Sequence, residues 1–136
     1  MNHQPTSKRT LWIGRALSGV AVLFLLMDGI MKFFMEKLPP EAIEAGAALQ
    51  WPMEKMPLVG TILLVCTFLY VIPRSAVLGA ILLTGYLGGA IASHVRVSNP
   101  LFTHTLFPIY VAALIWVGLY LRDARARSIL SRSTSN

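Results

Sequence analysis

The residues able to do chemistry are few in this chain, and they stand at the ends of apolar segments. Asp28 and Lys32 are four residues apart near the end of the first apolar segment, so a helix places them on one face. His94, Arg96 and His104 flank the junction between two later apolar segments. Lysine, arginine and histidine donate hydrogen bonds to carbonyl oxygens, and a carboxylate beside a histidine can move protons near neutral pH.

The composition predicts that a membrane surrounds these groups. The chain has 136 residues, of which 55% are hydrophobic and only 13% are charged, which leaves too little polar surface for a soluble domain. The net charge is +6, but the basic residues collect at the two termini beside apolar segments, which is a topology signal. No nucleic-acid partner is therefore expected.

Four apolar segments predict an all-α, integral membrane four-helix bundle. Residues 11–121 form the transmembrane domain, between a basic tail at 1–10 and a basic, disordered tail at 122–136. A short amphipathic segment at the membrane interface is expected between helices 1 and 2, with Pro40 in its first turn. The spans lie at about residues 11–34, 57–72, 76–93 and 105–121.

The basic residues also predict an orientation. With both termini in the cytoplasm, eight of the 12 basic residues fall on the inner side and four on the outer side, and five of the six acidic residues are outside. The positive-inside rule favours this N-in, C-in arrangement. Arg15 then belongs to the cytoplasmic side, too far along its helix to pair with Asp28. Asp28, Lys32, His94, Arg96 and His104 fall in the outer leaflet.

This outer group has two interpretations. In one, Asp28 and Lys32 neutralise each other, Lys32 reaches the headgroups, and the other three are ordinary interface residues. In the other, they surround a polar pocket roofed by the loop at 36–56. Lys32, Arg96 or a histidine would then bind the carbonyl oxygens of a quinone or another ligand rich in acceptors.

Other cofactors have weaker support. His94 and His104 are the right residue type for a two-histidine haem site, but no haem motif accompanies them. Zinc needs three or four ligands, so no metal site is expected. The single cysteine, Cys66, excludes an intrachain disulfide and is expected to pack as a small apolar side chain.

Small residues indicate where helices approach one another. Gly14 and Ser18 in the first span form one small-xxx-small pair. Gly85 and Gly89 in the third span form a GxxxG pair, which predicts helix packing. The alternative for this pair is close approach by a flat ligand beside Tyr86.

Five stretches follow one another in a recognisable order: GRALS at 14–18, DGIMK at 28–32, TGYLGGAIASHVR at 84–96, NPLFTH at 99–104 and Phe107-Pro108. In this order they resemble the DoxX-like family of small four-span membrane proteins. The resemblance covers roughly residues 10–123 and implies a four-helix transmembrane bundle. Some related proteins are subunits of thiosulfate:quinone oxidoreductases that work with partner chains, which favours association with redox chemistry.

The expected protein is therefore a DoxX-like component of the bacterial inner membrane. Quinone interaction, or a role as the membrane subunit of an oxidoreductase, is the leading expectation, with no enzyme activity expected of the chain on its own. Catalytic residues are not assigned. The expected partners are the lipid bilayer and a redox protein or further copies of the chain. The alternative is a small transporter, or a non-catalytic membrane scaffold that stabilises a partner.

Overall fold

A computed structural model describes residues 7–132, and within that range the chain is helical with no strand. Short 3-10 turns at Met35–Lys37 and Met53–Lys55, and a π-helical turn at Leu101–Thr105, precede or follow the helices. The helices are α1 (Lys8–Met31), α2 (Pro40–Ala47), α3 (Met56–Val71), α4 (Ala76–Arg96), α5 (Phe107–Arg122) and α6 (Ala124–Arg132).

Four helices are long and apolar enough to cross a membrane. With their adjoining turns they cover Lys8–Met31, Met53–Val71, Ala76–Arg96 and Leu101–Arg122. Their outward surfaces carry large apolar side chains, such as Leu23 at 70% exposed, and lipid solvates such surfaces. The four-helix prediction is confirmed, and α2 forms where an amphipathic segment was predicted.

The four long helices form a ring in the order α1, α3, α4, α5. Helix α1 packs against α3 and α5, and α4 packs against the same two. Each long helix contributes a fully buried aliphatic side chain to the shared core. These are Leu25, Leu63, Leu83 and Ile115.

Helices α1 and α5 make the closest approach, through facing glycines. A Cβ atom on Gly14 would lie 2.8 Å from the Arg122 backbone nitrogen, and one on Gly118 would lie 2.6 Å from Ser18 Oγ. The approach predicted from Gly14 and Ser18 is therefore confirmed. At the α3–α4 hairpin, Gly79 has the same role, since its Cβ would overlap the backbone of Tyr70.

Gly85 and Gly89 do not pack against another helix. A Cβ atom on either would have no neighbour within 4 Å among the described residues outside its own helix. The reason is the rotation of α4 about its axis, because Leu83 and Leu87 face the core and the glycines stand about 200° away. The packing predicted for this pair is therefore not made within the described chain.

Both predicted tails contain helix. Helix α1 begins at Lys8, and residues 124–132 of the tail predicted to be disordered form α6. Asp123 Oδ1 accepts a hydrogen bond from the Arg125 backbone N–H at 2.8 Å, which caps α6, and Ala126 packs into the core. Residues 1–6 and 133–136 lie outside the described range.

Candidate ligand cavity

A cavity of about 390 Å³ opens between the spans at the end where α1 and α4 finish. All four spans line it, as do two residues that follow α2. Its walls are mostly apolar, and its charged or titratable side chains are Asp28, Lys32, Tyr86 and His94. The apolar lining includes Phe24, Leu25, Val59, Ile62, Leu87, Phe107 and Val111.

Asp28 and Lys32 form an ion pair at the cavity wall. Lys32 Nζ lies 2.5 Å from Asp28 Oδ2, and the Lys32 side chain is only 16% exposed. Pairing compensates two charges that a bilayer would otherwise disfavour strongly. A lysine ammonium has three N–H donors, so donors remain for a ligand.

His94 stands in the last turn of α4, and its hydrogen bond sets the position of its proton. Asn99 Nδ2, which is a donor, lies 2.8 Å from His94 Nδ1, so Nδ1 accepts. In the neutral imidazole the proton is then on Nε2, which becomes a donor. His94 and Lys32 thus bring two hydrogen-bond donors to one cavity from different helices.

The wall beside Tyr86 is formed by Gly85 and Gly89, which have no side chains to fill the space. Nearby, Phe24 and Phe107 meet edge to face with their ring centroids 5.1 Å apart. A bare glycine surface beside aromatic side chains suits a planar ring, which can approach the backbone of α4 closely. The geometry leaves room for a flat ligand beside Tyr86, and its close approach to this pair stays a prediction.

The segment after α2 covers the cavity and is held to the end of α4. Leu49 and Trp51 line the cavity. Arg96 Nη2 donates to the Leu49 carbonyl oxygen at 2.6 Å, and Trp51 Nε1 donates to Ser93 Oγ at 3.2 Å. The loop predicted to roof the pocket does so through these two residues.

Arg96 and His104 do not line the cavity. Arg96 supports its cover, as described above. His104 is exposed on the π-helical turn, where its Nδ1 lies 2.8 Å from Thr103 Oγ1 and its ring centroid lies 6.0 Å from that of His94. Of the five residues predicted to form a site, the structure thus brings Asp28, Lys32 and His94 to the cavity.

A buried series of hydrogen bonds at the opposite end of the bundle was not predicted from the sequence. Arg122 Nε donates to Ser18 Oγ at 2.9 Å, the Ser18 hydroxyl lies 2.9 Å from Tyr70 Oη, and Tyr70 donates to the Ile115 carbonyl at 2.9 Å. Because Tyr70 donates to Ile115, Ser18 donates to Tyr70. Tyr70 is fully buried, and these hydrogen bonds join α1, α3 and α5. The sequence feature that could have indicated these contacts is Arg122, an arginine at the end of an apolar span.

Arg15 lies at that same end, away from the cavity. Its guanidinium carbon is 5.6 Å from the centroid of the Trp12 ring. Thirteen residues separate it from Asp28, which is about 20 Å along the helix axis. Arg15 lines a second cleft together with Arg122.

Comparison with known proteins assigns the family. The model of the DoxX-like family matches residues 16–118, more than half of the chain. The chain belongs to the DoxX-like family. The matched range contains Asp28, Lys32 and His94, and membership agrees with a protein embedded in a membrane. No curated protein and no solved structure matches the chain.

Proposed function

We propose that this DoxX-like protein binds a quinone in the cavity and acts as a quinone-interacting membrane subunit of an oxidoreductase in the bacterial inner membrane. One observation carries the proposal. An apolar cavity with a bare glycine wall also holds two separate hydrogen-bond donors, Lys32 and His94. This combination fits a flat apolar ring that carries carbonyl oxygens.

The residues divide the work of binding. The glycine wall and the aromatic side chains hold the ring, while Lys32 Nζ and His94 Nε2 donate to its carbonyl oxygens. Reduction of a quinone to a quinol takes up two electrons and two protons. A partner chain would supply the electrons, and His94 with Asp28 would pass protons to the carbonyl oxygens.

The surroundings of the cavity also suit a ligand that arrives through the bilayer. Ile62 and Phe107 line the cavity and are 47% and 41% exposed, so the space is not sealed within the bundle. Lipid is as apolar as the cavity wall, so burial of the ring contributes little to affinity in this setting. Hydrogen bonds and close packing must therefore provide most of the binding energy.

Binding of a short-chain ubiquinone analogue to the purified protein in mild detergent tests the proposal. Lys32→Ala and His94→Ala should each weaken binding about tenfold, since each removes one donor worth about 1.5 kcal/mol. The matched controls are Lys37→Ala and His104→Ala, which change the same residue types outside the cavity. Absence of binding to the wild type, or equal binding by all variants, would contradict the proposal.

A second candidate is a membrane scaffold or small transporter. It is favoured by the exposed glycines of α4. A Cβ atom on Gly85, Gly88 or Gly89 would meet no atom of the described residues within 4 Å outside its own helix, which leaves room for a helix of another protein. Crosslinking in native membranes separates the two candidates. A dehydrogenase partner supports the oxidoreductase subunit, and a stable partner without redox chemistry supports the scaffold.

A further inference from the structure

Four arginines surround a second cleft, at the end of the bundle opposite the ligand cavity. The cleft has a volume of about 430 Å³ and also contains the α3–α4 hairpin and the start of α6. Its single acid, Asp123, caps α6 and forms no ion pair with them. The four arginines are Arg15, Arg74, Arg122 and Arg125.

Arg122 is fixed in position, with donors to spare. Its Nε donates to Ser18 Oγ, its Nη2 donates to the Tyr70 carbonyl at 3.1 Å, and its guanidinium lies over the Tyr70 ring. A guanidinium has five N–H donors, so three remain. An arginine held in this way loses little conformational entropy when it binds an anion, and its planar fork matches a phosphate.

The length of α1 predicts that the cleft lies at the depth of lipid headgroups. Gly14, next to Arg15, is in contact with the end of α5, so the arginines mark one end of the bundle. From Arg15 to Lys32 is about 25 Å along α1, slightly less than the roughly 30 Å hydrocarbon thickness. Trp12, which is 68% exposed, lies beside Arg15, and tryptophan favours this interface.

Helix α6 supplies an independent observation. Its residues Ala126, Ile129 and Leu130 share one face, and while Ala126 is buried, Ile129 is 55% and Leu130 42% exposed. Arg125 and Ser128 lie on the other face. A short basic helix with uncovered aliphatic side chains is typical of an element lying at the boundary between headgroups and acyl chains.

We propose that this arginine cleft binds the headgroup phosphate of an anionic phospholipid, while Ile129 and Leu130 contact its acyl chains. A phosphoglycerol headgroup has about ten heavy atoms, which at about 30 Å³ each need about 300 Å³, so the cleft accommodates it. The phosphate relieves the repulsion among four arginines gathered in one place. The exposed apolar face of α6 favours a lipid over free phosphate, which has no acyl chain.

Native mass spectrometry in detergent tests the assignment, with phosphatidylglycerol and phosphatidylcholine of identical acyl chains as probes. The wild type should bind phosphatidylglycerol at least tenfold more tightly. Arg74→Gln combined with Arg125→Gln should weaken that binding about 30-fold, at about fivefold for each arginine removed. Arg122 is left unchanged because it also joins three helices.

The matched control is Lys8→Gln with Arg9→Gln, which removes two charges from the same end outside the cleft. It should retain phosphatidylglycerol within about threefold of the wild type. If both double variants lose affinity for phosphatidylglycerol equally, the lipid is held by diffuse electrostatic attraction, and the cleft is not its binding site. A wild type that binds the two lipids equally would also contradict the proposal. If millimolar inorganic phosphate displaces the lipid, the cleft is a site for free phosphate, and the assignment of a phospholipid ligand is wrong.

Discussion

Filling the glycine wall of the cavity should weaken ligand binding without harming the fold. Gly89→Leu adds four carbon atoms, which at about 30 Å³ each occupy about 120 Å³, roughly a third of the 390 Å³ cavity. A Cβ at Gly89 meets nothing within 4 Å, so the side chain enters free space. Crowding of the bound ring should cost about 1–3 kcal/mol, or about 5- to 150-fold in affinity for the ubiquinone analogue.

Gly88→Leu is the matched control for this substitution. Gly88 is the adjacent residue of the same helix, its Cβ also meets nothing within 4 Å, and it does not line the cavity. Alanine favours helix over glycine by about 0.8–1 kcal/mol and leucine by slightly less, so both variants should unfold in detergent at or above the wild-type temperature. Only Gly89→Leu should bind the analogue more weakly than the wild type, as measured by equilibrium titration.

Two results would refute this reasoning. If Gly89→Leu binds the analogue as tightly as the wild type, the ligand does not occupy this cavity. If Gly89→Leu unfolds at a lower temperature while Gly88→Leu does not, then Gly89 packs against a protein surface, as the GxxxG pattern first predicted.

Two predictions concern the packing of the opposite end. Gly118→Ala should lower the unfolding temperature by the equivalent of about 1–3 kcal/mol, because its Cβ would lie 2.6 Å from Ser18 Oγ. The control Gly19→Ala should not lower it, because a Cβ there meets nothing within 4 Å. Equal unfolding temperatures for the two variants would show that α1 and α5 can separate without cost. Tyr70→Phe should lower the free energy of unfolding by about 0.6–1.7 kcal/mol, because it removes the hydroxyl between Ser18 and the Ile115 carbonyl. Tyr120→Phe, at an exposed position, is the control. If Tyr70→Phe is as stable as Tyr120→Phe, these buried hydrogen bonds do not stabilise the bundle.

The orientation of the bundle stays a prediction from the basic residues. The arginine cleft and the ligand cavity lie at opposite ends of the bundle. If the arginine cleft is on the cytoplasmic side, the ligand cavity must therefore be on the outer side. Reporters fused to both termini should report the cytoplasm. A terminus outside the cytoplasm would contradict the N-in, C-in topology.

Local spacing predicted much of the cavity. Asp28 and Lys32 pair because residues four apart share a helix face, whatever surrounds them. His94 reaches the same end because successive spans alternate in direction, so the first and third spans finish at the same end of the bundle. Both inferences need only chain order and helix geometry, which the sequence carries directly.

The rotation of each helix about its axis could not be predicted in the same way. Gly85 and Gly89 were expected at a helix contact, yet they face the cavity because Leu83 and Leu87 occupy the core side of α4. When nearly every residue of a span is apolar, no polar face marks the side that meets lipid. The choice then depends on how side chains from distant segments fit together.

The ends of the bundle show the same division. Alone, the sequence determined four apolar spans, the charges that close them and the family to which the chain belongs, because hydropathy and spacing are properties of the chain order. Only the tertiary structure showed that Arg122 reaches Ser18 and Tyr70, and that Arg96 supports the cover of the cavity rather than its wall. These contacts join residues some 50 to 100 positions apart, and packing of the whole bundle decides them.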